Sequence, residues 1–304
     1  MNKTRHYKVA GHYFSLSLPD SEKLWNTLET AYGPFLVDEK EASSHTCLFS
    51  LEYADSIEDK DGRCVYDEPT EDGETMVRMF ELNDGWLFET AYDSKHDICC
   101  RTRTDRGFSK AVFSLASRSL RDAVFAINNS AMLMFAFASA KHHTLEFHAS
   151  VIENGGKAFL FLGKSGTGKS THSNLWLKHI DGSTLMNDDN PVVRVWTDRG
   201  VIVYGSPWSG KTPCYKNIEA PAGAFVQIRQ CPENKIRKMS VLEGYSSLFS
   251  SISGIKDDAN EMADSLNNSL SDLLTAVPCW LLDCRPDEEA ARLCAETMRN
   301  NKIL

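Results

Sequence analysis

One eight-residue loop constrains this chain more than any other feature. Gly163-Lys164-Ser165-Gly166-Thr167-Gly168-Lys169-Ser170 fits the pattern G-x-x-x-x-G-K-[ST]. It follows the apolar run AFLFL at 158–162 and opens a helix-patterned stretch over 169–180, with Gly182 placed as a stop. A buried strand, a glycine loop and a helix in that order predict an α/β core. Glycines let the backbone turn tightly enough for its N–H groups to converge on anionic oxygens. In such a loop Lys169 reaches terminal phosphates, the Ser170 hydroxyl ligates Mg²⁺, and the helix adds the positive end of its dipole. In a chain of 304 residues a chance match is on the order of one in a hundred. The nucleotide-binding set is therefore Gly163, Ser165, Gly166, Thr167, Gly168, Lys169, Ser170 and the adjoining Thr171, with ATP and Mg²⁺ as the expected cofactors.

The same pattern recurs at Gly205-Ser206-Pro207-Trp208-Ser209-Gly210-Lys211-Thr212. Pro207 removes a backbone donor that a phosphate cradle uses, and Pro213 follows at once. The next residues, CYKNIEAPAG, do not read as a helix. The phosphates are assigned to the first copy. The second is either a plain turn or a loop that presents Lys211 to a bound phosphate or substrate.

Phosphoryl transfer also needs a metal anchor and a group that handles the attacking hydroxyl. Asp188 lies 18 residues after Ser170, within Asn187-Asp188-Asp189-Asn190. One helix, a turn at Asp181-Gly182 and a short strand at 184–186 fill that interval. A right-handed β–loop–α–β crossover would set the new strand beside the first and bring the Asp pair to the phosphates. The segment HASVIENGGKAFLFLGKSGTGKSTHSNLWLKHIDGSTLMNDDNPVVRV resembles the core of HPr kinase/phosphorylase, whose fold is related to phosphoenolpyruvate carboxykinase. The resemblance rests on His148, the loop and the close-following Asp pair. It implies that Asp188 helps Ser170 hold metal, that Asp189 is base toward an acceptor hydroxyl, and that His148 supports the carboxylate. It also implies homo-oligomers. Thr171 stands where that family usually has Glu, and the front third does not resemble the family's N-terminal domain. The expected activity is ATP- and Mg²⁺-dependent transfer of the γ-phosphoryl group to a hydroxyl of a small molecule or protein Ser. The alternatives are a non-catalytic ATP-binding sensor or scaffold, and a carboxykinase-like enzyme.

Charge divides the chain. Residues 1–105 carry 11 Lys+Arg against 22 Asp+Glu, and the remainder 22 against 20. The step near Arg106 predicts an acidic α+β N-terminal domain over 1–106 and an HPr kinase-like, carboxykinase-related nucleotide-binding domain over 107–304. An acidic front third disfavours nucleic-acid binding. Its expected elements are a broken alternation at 6–18, a helix at 21–32, a strand at 46–53, turns or a loop over 58–74, and a hairpin from 77–82 and 85–92. Beyond it lie a helix at 119–141 and strands at 145–152, 192–196, 201–204, 224–228 and 279–283. Helices are expected at 240–250, 259–274 and 287–300. His142 and His143, at the end of the 119–141 helix, read as capping charge rather than as a metal cluster with His148. No uninterrupted apolar run reaches the ~18 residues of a membrane helix, and the N-terminus lacks a secretory apolar core. The nine cysteines form no CxxC, which fits a reducing cytoplasm with no membrane partner.

Overall fold

The computed structural model describes residues 2–58, 62–69, 75–117, 119–210, 212–253 and 261–304, without the side chains of 261–263. The chain is mixed α/β, with two sheets. It forms two compact units, Met1–Ser139 and Ala140–Leu304.

In the first unit the strands are β1 (Asn2–Val9), β2 (His12–Pro19), β3 (Leu36–Val37), β4 (Cys47–Tyr53), β5 (Arg63–Pro69), β6 (Met76–Leu82), β7 (Gly85–Ala91), β8 (Cys100–Asp105) and β9 (Lys110–Leu115). They form one sheet in the order β3-β1-β2-β4-β9-β8-β7-β6-β5. Helix α1 (Glu22–Tyr32) starts on Ser21, whose hydroxyl accepts from the Leu24 N–H. A short α2 (Glu39–Ser43) follows, and α3 (Leu120–Ala140) is the long helix. Phe14 stacks on Phe49 at 4.9 Å and meets Phe135 of α3 edge-on at 6.2 Å, so aromatic packing joins sheet and helix.

The expected boundary at Arg106 falls inside this unit. Strand β9 pairs with β8 on one side and β4 on the other, so cutting at 106 would open the sheet. The acidic stretch expected as loop contains β5, which pairs with β6 as the last strand of the sheet. Helix α3 is long and apolar enough to cross a membrane by length and composition, although it contains no long uninterrupted apolar run; 67% of its most apolar stretch is buried, and a core helix meets the same criteria.

The second unit contains β10 (Thr144–Glu146), β11 (Ala149–Asn154), β12 (Lys157–Leu162), α4 (Lys169–His179), β13 (Thr184–Asp189), β14 (Val192–Trp196), β15 (Gly200–Tyr204), β16 (Glu219–Gln230), β17 (Lys235–Lys238), α5 (Val241–Ser251), α6 (Glu261–Ala276), β18 (Cys279–Cys284) and α7 (Glu288–Asn300). The sheet order is β10-β14-β15-β16-β12-β11-β13, with β18 joined to β16 and β17 to β18. Strands β12, β16 and β18 run parallel, so their carboxyl ends share one edge. One face carries Val151, Leu160, Phe225 and Leu248; the other carries Phe159, Trp176 and Val226 with Ala291 and Met298 of α7.

The strand after the glycine loop differs from expectation in one respect. Strand β13 does not lie beside β12: β11 sits between them, antiparallel to both. The two outer strands are therefore still parallel, and the register Phe161–Ser150–Asp188 runs straight across all three. Asp188 thus reaches the sheet edge where β12 delivers the loop.

Candidate functional site

The glycine loop leaves β12 and enters α4 through three residues with positive φ: Gly163 (+149°), Gly166 (+78°) and Gly168 (+101°). Helices α1, α5 and α7 each begin on a side-chain cap, at Ser21, Ser240 and Asp287. Helix α4 begins at Gly168 with no side chain accepting from its first N–H groups. Those donors, with the helix dipole, make its start suited to an anion. Ser165 and Gly166 are exposed, as are Ser170 and Thr171, and Lys169 is buried. The Lys169 ammonium donates to the Gly163 carbonyl at 2.9 Å, which folds it back across the loop. Gln230, at the end of β16, donates through Nε2 to the Gly166 carbonyl at 3.0 Å and ties the loop to the sheet.

The carboxylate pair meets this loop. The Ser170 hydroxyl donates to Asp188 Oδ1 at 2.9 Å, and Asp188 is 4% exposed. Asp189 carries φ +131°, a conformation that costs a non-glycine residue on the order of 1–3 kcal/mol. Its surroundings hold it there. His148 Nε2 lies 3.2 Å from Asp189 Oδ1, and Asn190 Nδ2 donates to Oδ2 at 3.0 Å. His148 is positioned between β10 and β11 rather than within one continuous strand, and its N–H donates to the Ser251 carbonyl at 2.7 Å.

The second glycine-containing segment lies against the same carboxylates. The Gly210 N–H and the Ser209 hydroxyl both donate to the Asp188 carbonyl, at 2.7 and 2.9 Å. Asn187 Nδ2 donates to the Ser206 hydroxyl and to the Trp208 carbonyl, both at 3.2 Å. A Cβ on Gly210 would lie 3.0 Å from Cβ and Cγ of Asp189, so glycine permits this approach. The segment does not enter a helix: 213–218 is irregular and leads into β16. Lys211 lies outside the described residues.

Sequence reasoning missed Glu146. Along 145–150 the chain alternates: Leu145, Phe147 and Ala149 join the apolar cluster, and Glu146, His148 and Ser150 take the other parity. Glu146 is 1% exposed, and neither carboxyl oxygen has a hydrogen-bond partner among the described residues. Burial first, and the nearby Asp189 carboxylate second, raise its pKa well above the ordinary carboxylate range. The available signal was an acid at 146 flanked by apolar residues and two positions ahead of His148.

The donor chemistry suits Mg²⁺. A hydroxyl and a carboxylate converge at 2.9 Å beside a phosphate-type loop, and hard oxygen ligands that leave room for water and phosphate are what Mg²⁺ takes. Among the described residues, no group of three or more His, Cys, Asp or Glu side chains is placed to hold a metal. His142 and His143 are separate from the site; His143 Nδ1 lies 3.6 Å from Asp272.

No family model and no curated protein matches the chain. Among solved structures, the Hpr(Ser) kinase/phosphatase from Coxiella burnetii aligns over 52% of this chain and 90% of its own, with 14% identity and a TM-score of 0.30. This is a weak likeness at the level of fold.

Proposed function

We propose that the chain is an ATP- and Mg²⁺-dependent kinase of the HPr kinase type, with a carboxykinase-related nucleotide-binding core, that transfers the γ-phosphoryl group to a hydroxyl acceptor. The observation that carries this is the Ser170–Asp188 hydrogen bond, because it joins the glycine loop to a carboxylate pair whose second member is strained and held by His148.

The loop N–H groups and the α4 dipole bind the triphosphate, and Lys169 moves from the Gly163 carbonyl to its β- and γ-oxygens. Ser170 and Asp188 hold Mg²⁺, which supplies charge neutralisation on the transferred group. Asp189 accepts the acceptor hydroxyl's proton as the oxygen attacks. His148 and Asn190 are positioning residues: they fix the two oxygens of that carboxylate, so reaction is not preceded by a search over rotamers. The 205–210 segment bounds the same carboxylate and forms part of the acceptor side. We further propose that the protein acts in the cytoplasm, without membrane or nucleic acid, and as a homo-oligomer.

Two variants test this. Lys169→Ala weakens ATP binding in titration calorimetry. Asp189→Asn keeps ATP affinity within about twofold but lowers ADP formation with a hydroxyl acceptor at least about a hundredfold, the scale of a lost general base. Unchanged ATP binding in the first variant refutes the loop assignment, and unchanged turnover in the second refutes the base.

A further inference from the structure

Strand β13 carries one residue more than its neighbour. Its register against β11 runs Asp189–Ala149, Asp188–Ser150 and Asn187–Val151, then resumes at Leu185–Ile152, so Met186 has no partner of its own. An extra residue on one strand is a β-bulge, and it reverses the alternation of side chains beyond it. The neighbours show the effect. Leu185 packs in the cluster of Ile152, Phe161 and Trp176, on the α4 side of the sheet. Three residues on, a regular strand would point Asp188 to the opposite side. The bulge returns it to the α4 side. There Ser150, opposite Asp188, meets Ser173 at 2.6 Å, and His172 lies edge-on to Phe161 and accepts from the Trp176 indole at 3.1 Å. Ser170 of the same helix reaches Asp188.

The bulge has a second consequence. It sets Asn187 opposite Val151, on the side where Met186 and Val151 join the apolar cluster, and there Asn187 is 0% exposed. A buried amide needs partners for both ends. The Asn187 Oδ1 accepts from the Asn190 N–H at 2.9 Å, and its Nδ2 donates to the Ser206 hydroxyl and the Trp208 carbonyl. The Asn190 N–H can only donate and the Trp208 carbonyl can only accept, which fixes the amide's orientation. Ser206 closes the ring by donating to the Asn190 carbonyl at 2.6 Å. The 206–210 segment therefore grips the turn on both flanks of the acids, while Gly210 and Ser209 hold the Asp188 carbonyl between.

We propose that Asn187 is a positioning residue for the metal-holding carboxylate: pinned by Ser206 and Trp208, it locks the bulge that turns Asp188 toward Ser170. The proposal rests on the Mg²⁺ reading above and adds to it what aims the ligand. It also gives the second glycine-containing segment a task that needs no phosphate, as the clamp that receives Asn187.

The whole chain is compared as wild type, Asn187→Ala, Asp188→Asn and the double variant. Thermal shift reads the Mg²⁺ concentration for half-maximal ATP-induced stabilisation. Asn187→Ala raises it at least about tenfold, the scale of a lost support behind a metal ligand, while ATP affinity in EDTA stays within about twofold. The double variant needs no more than about twice the Mg²⁺ of Asp188→Asn, because Asn187 acts through Asp188. Without metal or nucleotide, amide exchange in Asn187→Ala, read peptide by peptide, speeds up over 187–190 and 205–210 and not elsewhere. Ser206→Ala breaks the clamp from the other side, shifts the Mg²⁺ requirement the same way, and serves where Asn187→Ala does not fold. A folded clamp variant with an unchanged Mg²⁺ requirement, or with equal loss of ATP affinity with and without Mg²⁺, overturns the role of Asn187 and leaves the metal reading standing. So do unchanged exchange in the two segments and a double variant in which the single effects multiply. Asp188→Asn that needs no more Mg²⁺ than wild type refutes the metal reading, and the proposal with it.

Discussion

Replacing Glu146 with leucine should make this protein more stable, and more so at neutral than at acid pH. The carboxyl is 1% exposed and has no hydrogen-bond partner among the described residues. A buried polar group without a partner costs about 1–3 kcal/mol, and removing it in favour of an apolar side chain of similar shape recovers that amount. For a unit of this size roughly 2–4 °C accompanies each kcal/mol, so the melting temperature rises by about 2–12 °C at pH 7. The sign of the pH dependence follows from burial, which raises the folded-state pKa, with Asp189 adding to the effect. Between the unfolded pKa of about 4.3 and the raised folded value, the native state binds more protons than the unfolded chain. Wild-type stability therefore falls as pH rises through that window, by at most about 1.4 kcal/mol per pH unit, and levels off above the folded pKa. Leucine has nothing to titrate. The advantage of Glu146→Leu is smallest near pH 4 and grows toward neutrality. Glu146→Gln keeps the polar group but removes the titration, so it shares the pH trend at a smaller offset. Melting curves for the three proteins from pH 4 to pH 8 measure this. A variant less stable than wild type at every pH, or a difference that does not change with pH, would refute the account of Glu146 as a lone buried acid.

Two further perturbations probe the site itself. Gly210→Ala sets a methyl 3.0 Å from Cβ and Cγ of Asp189, so the carboxylate must shift by a few tenths of an ångström; turnover should fall about tenfold, on a scale where 1 Å costs about a hundredfold, while ATP affinity in calorimetry stays unchanged. Ser170→Ala removes a hydroxyl that donates to Asp188 at 2.9 Å, and should raise the Mg²⁺ concentration for half-maximal ATP-induced stabilisation at least about tenfold, read by thermal shift across a Mg²⁺ titration.

The parts of this molecule that were legible in the sequence are those where local chemistry and fold agree. The 158–196 stretch announces strand, loop, helix and strand because its glycines, apolar run and helical period all fall at positions the backbone needs. The insertion of β11 between β12 and β13 was not legible, since the crossover rule fixes hand and direction but leaves open how many strands lie between. One polar strand was misread for a different reason. β5 reads RCVYDEP, without an alternating apolar face. It is held by β6, with Arg63–Glu81 and Arg78–Asp67 as paired charges across the two strands. Edge strands are where charge is tolerated, so hydrophobic period carries least information there. The charge step near Arg106 marks a change in surface composition, whereas the unit boundary depends on which strands pair, and β9 pairs backward.

The same distinction separates the site residues. Lys169, Ser170, Asp188 and Asp189 stand in motifs whose spacing encodes their meeting, as the hydrogen bond between Ser170 and Asp188 illustrates. Glu146 and His172 belong to no motif, and Gly210 stands in the second copy of the glycine pattern for a reason that pattern does not encode. They matter through what surrounds them: a carboxyl with no hydrogen-bond partner among the described residues, an imidazole pinned by Trp176, a missing side chain against Asp189. Residues of the first kind define the chemistry a chain can attempt. Residues of the second kind set how firmly the Asp189 carboxylate is held, and a buried acid with no hydrogen-bond partner among the described residues, near a strained aspartate, is a stability cost that natural sequences retain chiefly at working sites.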